Sequence, residues 1–243
     1  MTMTSTRRTF LQLASATGAV LAVGLRLDGA GPAPEPPFQP NVWLKVARDG
    51  RVAITVGKSE MGQGVRTALP MIAAEELGIE WSMVDLVQAE PGADFQRLGT
   101  GGSFSIQSLW GPLRQAAAAA REMLIAAAAG QWGVEPSACK AAKGAVQHSA
   151  SGRSLSYGRL TAAAAKLPVP KDPPLKNAAE YQRIGHPTLR YDGPRLLDGS
   201  APFAADIRLP CMKFAVLARC PVFGGKAASW DAARPRPCPG SAP

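Results

Sequence analysis

The sequence predicts a mixed α/β fold followed by the opening of a second, smaller α/β domain. Three observations lead there. Between residues 42 and 132 the order is strand, glycine loop, helix, strand, glycine loop, helix, an alternation that belongs to mixed α/β domains. Apolar residues make up 46% of the 243 residues, enough to build a packed core. After residue 226 the composition turns to Arg, Pro and Ala, which supports neither strands nor a core. The chain therefore reads as four parts: 1–40, 41–190, 191–226 and 227–243.

The first part reads as an address rather than structure. Arg7-Arg8 precede Phe10-Leu11, and residues 13–25 form an apolar run of small side chains closed by Arg26 and Asp28. A basic pair, a short apolar segment and a small-residue exit describe a bacterial secretory signal. The run is shorter than the roughly 20 residues a membrane-spanning helix needs, so no transmembrane segment is expected beyond the signal. Thr6-Arg7-Arg8-Thr9-Phe10-Leu11 resembles the twin-arginine export consensus, which implies the export machinery of that name and a periplasmic destination. Residues 33–40 are proline-rich and read as an extended linker.

Each later element has its own cue. Residues 42–46 and 52–56 alternate apolar and polar around Asp49-Gly50, the pattern of a β-hairpin with a type I′ turn. Helical spacing starts at Val65 and places Leu69, Ile72, Ala73 and Leu77 on one face, with Gly78 as the stop. Pro70 inside that helix predicts a kink or a late start. Residues 79–89 read as a strand with Val84, Leu86 and Val87 in its core. A long alanine-rich helix ends near Trp132, and alanine both favours helix and lets neighbours approach closely. A minor hairpin over 144–155, a short helix over 157–166 and a proline-punctuated boundary at 166–174 complete the pass.

Two glycine loops open the two helices: Glu60-Met61-Gly62-Gln63-Gly64 and Gly99-Thr100-Gly101-Gly102-Ser103-Phe104-Ser105. The first amides of a helix lack intrahelical acceptors and carry partial positive charge. Glycines let backbone approach a ligand, serine hydroxyls add donors, and the Gln63 amide both donates and accepts. Two readings stay open: a cradle for an anion or polar heterocycle, or a simple turn and a flexible surface loop. Neither loop matches the P-loop or the dinucleotide fingerprint. Glu60, Glu75, Glu76 and Glu122 read as solvated or capping carboxylates. Cys139, Cys211, Cys220, Cys238, His148 and His186 lack the clustering that zinc or iron–sulfur sites need, and no catalytic or metal-binding residue is assigned. The net charge of +9 comes without a basic block interleaved with aromatics, which argues against a nucleic-acid partner.

Glu60-Met61-Gly62-Gln63-Gly64-Val65 with Ala73-Ala74-Glu75-Glu76-Leu77 resembles the molybdopterin-binding subunit of the xanthine dehydrogenase/aldehyde oxidase family, isoquinoline 1-oxidoreductase beta-subunit type. The same is true of Gly101-Gly102-Ser103-Phe104-Ser105, Leu113-Arg114 and Ala120-Arg121-Glu122-Met123-Leu124. Further on, Ala204-Ala205-Asp206-Ile207, Leu209-Pro210 and Pro221-Val222-Phe223-Gly224-Gly225 extend the likeness, which covers about residues 41–225.

The resemblance implies a molybdopterin-type molybdenum cofactor beside Met61, Gly62, Gln63 and Gly64 and beside Gly101, Gly102, Ser103 and Ser105. It equally allows these loops to be scaffold, because this branch carries a second cofactor-domain-like segment further on. It implies oxidation of aldehydes or N-heterocycles with water as the oxygen source, and a [2Fe–2S] small subunit as electron-taking partner. Residues 191–226 would open a hammerhead domain. The family's catalytic glutamate lies in a later segment that finds no match here. The chain is accordingly expected to be an N-terminal portion of such a subunit, inactive alone and without a firmly retained cofactor. A stand-alone exported binding or assembly module is the alternative.

Overall fold

A computed structural model describes residues 37–217 and 219–229. The segment expected to be an export signal, the start of the expected linker and most of the Arg/Pro-rich tail lie outside the described residues.

Strands β1 (Phe38–Asn41), β2 (Leu44–Val46), β3 (Val52–Val56) and β4 (Val84–Gln88) form one sheet in that spatial order. The first three are antiparallel, with Leu44 opposite Ile54 and Val46 opposite Val52. β3 and β4 run parallel, Val52 beside Val84 and Ile54 beside Leu86. Parallel neighbours need a crossover, and helix α1 (Val65–Leu77) supplies it. Along β3, Val52, Ile54 and Val56 are fully buried while Ala53 and Thr55 are half-buried. The helices cover the first set, as the two-residue side-chain period requires.

Helix α2 (Phe104–Trp132) packs along α1, and alanines make the contact: Ala73 and Ala74 of α1 share a core with Ala117, Ala120 and Leu124 of α2. Beyond α2, strands β5 (Cys139–Ala142), β6 (Ala145–His148) and β7 (Arg153–Ser156) form a small antiparallel sheet. Helix α3 (Tyr157–Ala164) returns to the main core through Tyr157, Leu160 and Ala164. The Tyr157 hydroxyl donates to the Leu77 carbonyl at 2.5 Å, which satisfies the C-terminal end of α1.

Several expectations are corrected. The linker gives way to structure early, since Phe38 begins β1 and its ring is buried. The turn after β2 is not type I′. Gly50 alone is left-handed (φ 88°) and donates to the Ala47 carbonyl at 3.0 Å, while the Ala47 amide donates to the Arg51 carbonyl at 2.8 Å. That is a three-residue connection ending on a left-handed glycine. The two-residue hairpin with both central residues left-handed sits instead at Lys143 (φ 51°) and Gly144 (φ 76°), between β5 and β6.

Residues 79–83 are not strand. A 3-10 turn (Trp81–Met83) follows the Gly78 stop, and β4 starts only at Val84. Val87 points away from the core and is 45% exposed. α1 passes through Pro70 without a late start.

The proline-punctuated stretch at 166–174 does not end the packing. Residues 174–184 lie against α1 and α2, and the chain divides into compact units only after Gly193. Glu75 and Glu76, expected at the surface, are 3% and 0% exposed. The Glu76 carboxylate accepts from Arg114 Nε at 2.6 Å, Arg121 Nη1 at 3.1 Å and the Lys176 amide at 3.1 Å. Glu75 Oε2 accepts the amides of Gln182, Arg183 and Ile184, and its Oε1 takes Lys176 Nζ at 3.1 Å. A buried charge persists only when paired and fully hydrogen-bonded, and these two are.

The second unit, from Pro194 onward, begins within a five-residue helix α4 (Gly193–Leu197) and has one 3-10 turn (Ala204–Asp206). It forms no strand among its described residues.

Candidate functional site

Both glycine loops face one concavity of about 380 Å³, lined by Met61, Gln63, Val65, Ala68, Thr100, Gly101, Gly102, Ser103, Ser105 and Ile106. Six of the eight residues singled out by sequence therefore meet there. Gly62 and Gly64 do not line it. They shape the turn instead, with φ of 106° and 85°, values that favour glycine.

The two loops are stitched together by their own groups. Thr100 Oγ1 donates to the Ser59 carbonyl at 2.6 Å, and the Ser59 amide donates to the Leu98 carbonyl at 2.9 Å. Lys58 Nζ reaches the carbonyls of Arg97 and Gly99, each at 3.3 Å. These contacts tie together the two loops that lead into the helix N-termini.

Those two N-termini differ, although the sequence treats them alike. At α1 most of the donors are already taken. Glu60 Oε1 accepts the amides of Gly62 and Gly64 at 2.8 and 2.9 Å, and its Oε2 accepts that of Arg66 at 3.0 Å. Burial raises the Glu60 carboxyl, but these three amides and Arg190 outweigh it and hold the group below its ordinary value. Glu60 is thus the cap of α1. Gln63 is likewise turned onto its own loop: Oε1 accepts the Met61 amide at 2.7 Å and Nε2 donates to the Ser59 carbonyl at 3.0 Å. One lone pair of Oε1 and one hydrogen of Nε2 remain.

At α2 the donors stay open. Ser103 precedes the helix in the left-handed conformation (φ 59°) and makes no side-chain cap. The Phe104 amide reaches the Gly101 carbonyl at 3.2 Å. The amides of Ser105 and Ile106 have no acceptor among the described residues, and both residues line the concavity. Ser105 is 9% exposed there. Apolar side chains stand at the edge of the concavity, with Met61 and Ile106 exposed among the lining and Phe104 exposed nearby. The arrangement can take a flat polar molecule whose anionic or acceptor edge meets the start of α2 while its face rests on methionine and isoleucine.

Sequence reading missed Arg190, whose side chain reaches the first loop from 128 positions away with no local signal. Glu60 was legible as a possible cap, three positions before Gln63 and four before Gly64, in the region where a carboxylate reaches helix amides.

A family described as the molybdopterin cofactor-binding domain matches residues 8–205. Over 73% of its length the chain is 32% identical to the membrane-bound aldehyde dehydrogenase [pyrroloquinoline-quinone] of Gluconacetobacter polyoxogenes, of which it spans 23%. Over 98% of its length it is 31% identical to the isoquinoline 1-oxidoreductase subunit beta of Brevundimonas diminuta, of which it spans 36%. Among solved structures, quinoline 2-oxidoreductase from Pseudomonas putida 86 superposes on 49% of this chain and 15% of its own, with a TM-score of 0.42 and 21% identity.

Proposed function

Since the chain belongs to the molybdopterin cofactor-binding domain family, as found in molybdopterin-binding subunits of the xanthine dehydrogenase family, we propose that the concavity between its glycine loops is one wall of a pterin site. The observation that carries this reading is the pair of unpartnered amides, Ser105 and Ile106, opening onto the space that both loops share. Ser103, Ser105 and those amides would take the acceptor-rich edge, the phosphate above all, because donors fixed by a helix start need no reorganisation. Gly101 and Gly102 let backbone come close, while Met61 and the remaining valences of Gln63 face the ring. Gly62 and Gly64 act through the shape of the turn.

The donor set fits the group: it is rich in N–H and O–H, carries apolar Met61, Val65 and Ile106 beside them, and holds no cluster of metal ligands among the described residues. When bound, the molybdenum cofactor supplies a two-electron redox centre for hydroxylation with water as the oxygen source. This chain's part is to hold and orient the pterin and keep solvent from one of its faces. The larger assembly is proposed to oxidise aldehydes or N-heterocycles and to pass electrons to a [2Fe–2S] subunit. The names of the two relatives support these substrate classes, and the second is itself one subunit of a complex. The Arg7-Arg8 leader supports export by the twin-arginine route to the periplasm, and residues 191–226 support the opening of a hammerhead domain.

The test is fluorescence anisotropy of a phosphorylated pterin titrated with the purified chain. Saturable binding that is lost in Ser105→Glu, which puts a carboxylate against the open amides, is the expected result. Equal anisotropy for the two proteins at saturating protein would remove the reading.

A further inference from the structure

The first glycine loop is held from two sides, and only one of them is local. Glu60 grips its amides from within, as described above. From outside, Arg190 Nη1 donates to the Gly62 carbonyl at 3.0 Å, and Arg190 Nη2 lies 3.6 Å from Glu60 Oε1. The same guanidinium forks onto Asp192, Nε to Oδ1 at 3.0 Å and Nη2 to Oδ2 at 3.1 Å. A planar fork satisfied on both edges leaves the side chain one orientation.

The backbone that carries Arg190 is fixed as well. The Tyr191 amide donates to Thr67 Oγ1 of α1 at 2.9 Å, and the Tyr191 hydroxyl accepts the Leu86 amide of β4 at 3.2 Å. Asp192 is buried. Tyr191 thus ties the segment to α1 and β4, Asp192 holds the guanidinium, and of the three residues Arg190 is the one that touches the loop itself. Gly62 sits at φ 106°, a conformation that costs little for glycine but is not self-maintaining. Something must keep its carbonyl turned away from the amides that Glu60 collects, and Arg190 is the donor in contact with it.

We propose that Arg190 is the positioning residue of the first glycine loop, oriented by Asp192, and that it presents Met61 and Gln63 to the concavity. Its relevance to a pterin rests on the reading above, whereas the clamp itself does not. The intact chain is compared with Arg190→Gln, Arg190→Lys and Tyr191→Phe by amide hydrogen exchange and thermal unfolding. Arg190→Gln is expected to speed exchange of the amides of Met61, Gly62, Gly64 and Arg66 about tenfold or more, one factor of ten being about 1.4 kcal/mol. Exchange in α2 should stay as it is, while the melting temperature should fall modestly because buried Asp192 loses its partner.

Lysine, a point charge without a fork, should fail to restore protection. Tyr191→Phe, which keeps the amide contact, should leave the loop protected. Unchanged exchange over residues 59–66 in Arg190→Gln, or an equal rise across the whole first unit, overturns the proposal. In the pterin titration, Arg190→Gln should weaken binding several-fold, and a loosened loop with undiminished binding also overturns the positioning role. A parent chain that binds no pterin removes the pterin reading alone, because the exchange comparison still decides the clamp.

Discussion

At the scale of single residues, two glycines with opposite surroundings give opposed expectations. Gly158, in the first turn of α3, packs against the hairpin turn: a Cβ built there would lie 1.9 Å from the Arg48 carbonyl oxygen. Gly158→Ala should therefore destabilise by about 3 kcal/mol, since the obstacle is backbone and cannot swing aside. Gly130, near the end of α2, would meet nothing within 4 Å. Gly130→Ala should stabilise by about 0.5–1 kcal/mol through lower unfolded-state entropy and better helix propensity. Thermal unfolding of the two variants decides both. Neither glycine stood out in the sequence, because what distinguishes them is a neighbour over a hundred residues away in one case and open solvent in the other. Hairpin chemistry misled in the same way: Asp49-Gly50 carries the type I′ signature, yet Lys143-Gly144 adopts it. Asp49 instead spends its side chain locally, Oδ1 accepting the Arg51 amide at 3.0 Å, which favours the longer turn.

At the scale of elements, the paired carboxylates Glu75 and Asp192 shape the response to acid. Burial raises Glu75, but the Arg183 and Gln182 amides and Lys176 prevail and hold it below its ordinary 4.5. Asp192 is lowered by its hydrogen bonds from Arg190, against a smaller opposing effect of burial. A carboxyl whose folded pKa is depressed contributes stability that is present above its unfolded value and lost as pH falls through the folded one. The melting temperature should thus be flat from pH 7 to about pH 5 and fall below about pH 4, where these groups must take up protons. Glu75→Gln should flatten part of that fall and lower the neutral-pH melting point, and a scan of melting temperature against pH reads both. Apolar spacing made α1 legible and alanine content made α2 legible, because both cues depend on local geometry. The same spacing put Glu75 and Glu76 next to Leu77 without revealing that residues 174–184 would cover them, since that segment has no periodicity of its own. The site was half legible for the same kind of reason. Glycine and serine mark where backbone can approach a ligand, but only the fold shows that Glu60 fills one helix start and leaves the other open.

At the scale of the whole molecule, the two units differ in how well they bury what they carry. The first has a continuous core of sheet, α1, α2 and α3. The second leaves Phe203, Leu209, Phe214, Val216, Leu217, Val222 and Phe223 exposed. Exposed apolar area of that kind binds environment-sensitive dyes. Replacing Phe203, Leu209, Phe214 and Phe223 by serine should cut the fluorescence of a bound naphthalene-sulfonate dye severalfold. The first unit's unfolding free energy should move by no more than about 0.5 kcal/mol, as for surface substitutions elsewhere. A larger loss would mean that those side chains belong to its core. The expected order of strand, loop and helix in the first unit was legible because it is written in local patterns. The proline punctuation at 166–174 proved a change of direction within that unit and not the end of its packing. The partners of Glu75 and Glu76 in residues 176–184 lie 100 to 109 positions later in the chain, and Tyr157 meets Leu77 across 80. During synthesis, helix α1 thus emerges well before its two acids can gain all their partners and its last carbonyl its hydrogen bond. The ribosome must deliver most of the first unit before α1 can settle, so its folding completes late and nearly all at once.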